Sequence, residues 1–99
     1  MTRGAVLAWL EARRPVAPPA LRAHVEAAVT DGDLPLPDQL ALLGRRVLAR
    51  VTARPEGGRE LALDLLAADA LVTYAFEAQA EADVAGLAGL AERVTRETA

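Results

Sequence analysis

Ninety-nine residues, 53% hydrophobic and 25% charged, place the chain among globular proteins rather than disordered ones. The absence of cysteine excludes a disulfide framework, a thiolate metal site and a thiol nucleophile. A net charge of −3 argues against nucleic acid as a partner, because modules that bind it are generally basic overall.

The first predicted helix runs from about Gly4 to Arg14, with Thr2 as its cap and Val6, Leu7 and Leu10 at helical spacing. Trp9 sits at the margin of that stripe, where it either fills the core or, if half exposed, anchors an interface. Pro15 ends the helix, and Val16 to Pro18 read as an extended connector. Pro19 suits the first turn of a second helix, whose apolar stripe is Leu21, Val25, Ala28 and Val29. Thr30-Asp31-Gly32 closes it, with Gly32 placed for a left-handed cap. His24, the only histidine, lies at the edge of the stripe. It reads as a hydrogen-bonded boundary residue, or as a general base or pH-sensitive group if the second and fourth helices are neighbours.

Asp33-Leu-Pro-Leu-Pro37 is a stiff linker whose two leucines are expected to be buried. The third helix begins near Pro37 or Asp38 and continues through Leu40, Leu43, Val47 and Val51 to about Ala53. Arg46, Arg50 and Arg54 follow at four-residue spacing with Arg45 beside them. Such a stripe can grip phosphates bidentately, or pair with acids of the fourth helix or of a second subunit. No helix-turn-helix turn accompanies it, and there is only one each of Trp, Tyr and Phe to stack on bases. Arg-Pro-Glu-Gly-Gly at 54–58 is the clearest break in the chain.

Everything after Gly58 reads as helix, and unbroken to Arg96 it would be about 57 Å long at 1.5 Å per residue. Either Gly86 and Gly89 divide it, or its far half packs on another chain. Val84, Leu87, Leu90 and Val94 keep helical spacing there and, with Trp9, are the candidate interface residues. Leu61 to Phe76 is apolar on nearly every side, as a central bundle helix is. Asp64 and Asp69 interrupt it short of the roughly 20 residues that span a bilayer, so no membrane is expected. Asp69, Thr73, Glu77 and Glu81 lie along one face with Tyr74 beside them. As chemistry this is a carboxylate row next to a phenol; as structure it is a set of ion pairs and solvent-facing acids.

The whole predicts an all-α fold: one domain over 1–99, a small helical bundle of four to five helices with a long C-terminal helix. The apolar set is mostly 23 Ala and 16 Leu, while Lys, Ile, Asn and Ser are absent, a pattern of GC-rich coding. Alanine favours helix but buries little area, so the core is thin and a partner is expected to complete it. Residues 1–59 carry nine Arg against six acids (+3), and 60–99 carry two Arg against eight acids (−6). The two halves are therefore expected to pack together, within one chain or across a dimer. The leading expectation is a non-catalytic helical interaction or assembly module, forming a homo-oligomer or docking on a larger protein partner, cytoplasmic and with no cofactor or metal. The second is a small enzyme with a polar pocket built from Asp69, Tyr74, Glu77 and His24. The third is an anion or nucleic-acid binder working through Arg46, Arg50 and Arg54.

Overall fold

Local sequence sets each helix start. In a computed structural model, which describes residues 1–54 and 57–98, the Thr2 hydroxyl accepts from the Ala5 N–H at 3.2 Å and opens α1 (Arg3–Glu11). Prolines, which lose nothing in a first helical turn, open α2 (Pro19–Ala28) and α3 (Leu36–Thr52). Gly58 precedes α4 (Arg59–Ala82) with φ +128°, a conformation that favours glycine. Pro55 and Glu56, within the predicted break, lie outside the described residues. The final helix is α5 (Leu87–Thr98), and no strand occurs among the described residues.

The C-terminal stretch is divided, one turn earlier than the glycines suggest. Asp83 is extended (φ −166°, ψ 103°), and its carboxylate accepts from the Ala85 N–H at 3.1 Å. A 3-10 turn over Val84–Gly86 then leads into α5. At 24 residues, α4 is about 36 Å long. No helix among the described residues is long and apolar enough to cross a membrane.

Packing centres on α3 against α4. Leu40, Leu43, Gly44 and Val47 of α3 face Ala67, Ala68, Leu71, Ala75 and Ala78 of α4, all of them buried. Four of those five α4 residues are alanines, so the two backbones come close. A Cβ added to Gly44 would lie 2.9 Å from Val72 Cγ2, 3.0 Å from the Ala68 carbonyl oxygen and 3.3 Å from Leu71 Cβ. Val6 of α1, Val25 of α2, Val29 just beyond it and Leu90 of α5 complete the core. α5 is also fastened to the start of α3 by Arg93 Nε on Asp38 Oδ1 at 2.8 Å.

Two local expectations are corrected. Gly32 forms no left-handed cap; α2 ends through an extended Val29 (φ −75°, ψ 128°), and among the described residues Gly58 alone has positive φ. Arg3 satisfies that end instead, donating from Nε to the Val29 carbonyl and from Nη2 to the Glu26 carbonyl, both at 3.0 Å. Gly32 answers a space constraint: a Cβ there would collide with the buried Gln39 amide, which donates to the Thr30 carbonyl at 3.2 Å. In the proline linker, Leu36 is half-buried but Leu34 is exposed, so only one of the two leucines joins the bundle.

Gly44 and Gly89 should respond oppositely to the same substitution. Gly89→Ala gains helix propensity of up to about 1 kcal/mol, since only the end of Arg93 lies near its Cβ (3.4 Å). Gly44→Ala forces apart Val72 and the Ala68 backbone, and is expected to cost a net 1 kcal/mol or so despite better propensity. Urea unfolding midpoints read both.

Candidate functional site

The carboxylate row on α4 faces solvent. Asp69, Thr73 and Glu77 are exposed, and the Thr73 hydroxyl donates to its own helix at the Asp69 carbonyl, 3.0 Å away. Glu81 is tied down, accepting from Trp9 Nε1 at 3.1 Å and pairing with Arg13 at 2.9 Å. Tyr74 meets Trp9 edge-on at 6.2 Å between ring centres, and the Arg13 guanidinium lies 4.2 Å over the Trp9 ring. Tyr74 lines a small cavity of about 30 Å³ between α1, α2 and α4, with space for little more than a water. Neither Asp69, Glu77 nor His24 reaches that cavity. The four residues proposed for an enzyme pocket are thus spread over three places. Of the four, Tyr74 alone lines that cavity.

His24 does meet carboxylates, though not those of the row. α2 and α4 are neighbours, and the imidazole sits between two acids one helical turn apart. Nδ1 is 2.7 Å from Asp64 Oδ1, and Nε2 is 2.9 Å from Glu60 Oε2. The second oxygen of Asp64 accepts from Arg54 Nη2 at 2.7 Å. The bond to Asp64 holds the His24 imidazole above its ordinary titration range, helped by the charges of Asp64 and Glu60 and opposed by partial burial. The reciprocal bond from His24, with Arg54 assisting, holds the Asp64 carboxyl below its ordinary range. Among the described residues no group of His, Asp and Glu has the arrangement of a metal site.

That clasp gives Arg54 the pairing with a fourth-helix acid that was one of the two readings of the arginine stripe. Arg54 is committed to Asp64, leaving Arg46 and Arg50 as exposed members on the flank of α3. A phosphate clamp needs its donors converging on one point, and two arginines on an open helix flank supply less than the three predicted.

The predicted interface residues also separate. Leu90 is fully buried within the chain and belongs to the core, while Leu87 is half-buried. Trp9 is half-buried and held by Tyr74, Arg13 and Glu81. Val84 is 67% exposed in the turn between α4 and α5. Val94 lies in a groove of about 520 Å³ whose walls are Gly44, Arg45 and Leu48 of α3 and Leu65, Ala68 and Val72 of α4. Leu65 and Leu66 stand at its edge, 49% and 51% exposed. Two adjacent leucines half in water on a central helix form a patch rather than a scattered apolar residue. Arg45 and Asp69 are the charged residues of the lining, one on each wall.

Comparison with known protein families, with characterised proteins and with solved structures finds no match. The residues that sequence reasoning passed over are Leu65, Leu66, Gly44 and Glu60. The leucines sit in a run that is apolar all round, where periodicity does not distinguish the uncovered side; an i,i+4 pair Glu60–Asp64 facing a lone histidine was the available signal for the clasp.

Asp69→Asn and Glu77→Gln should each leave the urea midpoint within the equivalent of about 0.5 kcal/mol of the parent, as surface changes do. Asp64→Asn should fall clearly outside that band, because it removes the shared acceptor of His24 and Arg54.

Proposed function

We propose that this chain is a non-catalytic assembly module that pairs with a second copy of itself through the groove between α3 and α4. The observation that carries the reading is the Leu65–Leu66 pair, exposed on the one helix that is otherwise the centre of the bundle. Water contact at those side chains is unfavourable by roughly 25 cal/mol for each Å² of apolar surface, and the alanine-rich core leaves little surplus elsewhere to offset it.

A second copy suits this face for two reasons. Ridge and hollow are on the same surface: the two leucines protrude beside the groove lined by Leu48, Val72 and Val94. A two-fold axis brings the ridge of each copy over the hollow of the other, the self-complementarity that an isologous interface requires. The lining is also mostly apolar, with Gly44, Leu48, Ala68, Val72 and Val94 beside the two leucines, as the core of a homodimer interface is. A larger protein or an amphipathic peptide is the competing occupant.

Light scattering after size-exclusion chromatography, run over a concentration series, tests the pairing. The parent should approach twice the 10.4 kDa chain mass with rising concentration. Leu66→Glu should shift the midpoint of that transition by about thirtyfold or more, the equivalent of about 2 kcal/mol for an unpaired charge in an apolar contact. Its helical circular dichroism should stay unchanged, because Leu66 is already half in water. A parent that stays at 10.4 kDa throughout, or a transition indifferent to Leu66→Glu, overturns the proposal.

A further inference from the structure

Two ties at His24 join α2 to α4, beside the apolar packing of α2 on the core. α2 buries only Val25 within its own span, with Val29 just past its end, whereas α3 and α4 share most of the core. Its far end is held by Arg3, whose guanidinium donates to the Val29 and Glu26 carbonyls. Between those points the polar contact with α4 is the imidazole, reaching Asp64 and Glu60 at once, while Leu21, Val25 and Ala28 supply the apolar contact with the core.

Imidazole geometry makes that double contact conditional. A neutral ring has one N–H and one lone pair, so it can donate to only one of two carboxylates. The other nitrogen then turns its lone pair on an anion. Only the imidazolium donates at both ends, and only it offsets the repulsion between Glu60 and Asp64, four residues apart on α4. Among the described residues, the charged groups facing His24 are these two acids and Arg54, which bonds the second oxygen of Asp64. On α2 itself, Arg22 is turned to Glu26 and Glu11.

We propose that His24 is a protonation latch: as imidazolium it fastens α2 to the first turns of α4, and on losing its proton it releases α2 as a unit while the α3–α4 pair stays folded. The sense of the dependence follows from linkage. A histidine held above its unfolded titration point of about 6.5 stabilises fully below that pH, and the contribution is lost as pH rises through the higher folded value. Asp64, held low, acts in the opposite sense, its contribution being lost only as pH falls through its folded value below the usual carboxylate range. The latch is thus closed below about pH 6.5 and opens as pH rises through the higher folded value. No α2 residue lines the groove between α3 and α4, so the inference stands whether or not the chain pairs.

Amide hydrogen exchange, corrected for the intrinsic dependence of exchange on pH, separates α2 from the rest. Between about pH 6 and about pH 9 the parent's α2 amides should lose tenfold or so in protection relative to those of α3, with the midpoint matching the His24 imidazole titration seen by NMR. His24→Gln should show the open level of α2 protection at both ends of the range. His24→Arg supplies a cation that does not titrate, and should restore protection without the pH dependence. The proposal is overturned if α2 and α3 protection move together at every pH, or if His24→Gln keeps the parent's profile.

Discussion

The close approach of α3 and α4 at Gly44 governs the arrangement of everything else. A glycine on one helix and a column of alanines on the other let the two backbones approach until a single added methyl has nowhere to go. Close packing at that distance gains dispersion contact but little area, since alanine and glycine have little to bury. The bundle therefore has a tight centre and sparse periphery. α1, α2 and α5 each bury a single apolar side chain fully within their spans, Val6, Val25 and Leu90, add partly buried ones, and are supplemented by polar ties: Trp9 and Arg13 to Glu81, His24 to Asp64 and Glu60, and Arg93 to Asp38.

Two consequences follow for function. Where a peripheral helix is held by arginine–carboxylate pairs, its attachment is insensitive to pH near neutrality. Where it is held by the one histidine, it is not. And where no peripheral helix covers α4, at Leu65 and Leu66, the surface remains apolar beside a groove. Among the described residues the α4 acids, the His24 clasp and the small cavity beside Tyr74 lie at separate places.

Much of the fold was legible in the residues. Apolar spacing, the Thr2 cap, prolines 19 and 37 and the Gly57-Gly58 break marked all the helices before the division of the last stretch. Even that division has its signal in Asp83, an N-cap residue type, although the nearby glycines drew attention further along. The site was less legible. Four-residue spacing put Asp69, Thr73 and Glu77 on one face but did not say whether that face met protein or water, because the residues around them from Leu61 to Phe76 are apolar on nearly every other side. His24 was recognised as conditional on α2 and α4 being adjacent; its partners lie 36 and 40 residues away, a separation that only tertiary packing can close. Leu65 and Leu66 differ from the buried Leu71 in nothing but their angle on the helix, and that angle acquires meaning once α3 has taken its side.

The pairing of two copies across the uncovered side of α4 is most directly read by isotope-filtered NMR on an equimolar mixture of labelled and unlabelled chains. Methyl groups of Leu65 and Leu66 in one copy should give intermolecular cross-peaks to Leu48, Val72 and Val94 of the other, since NOEs survive only between groups in contact. A concentrated sample in which every cross-peak of those methyls disappears under the filter would contradict the account.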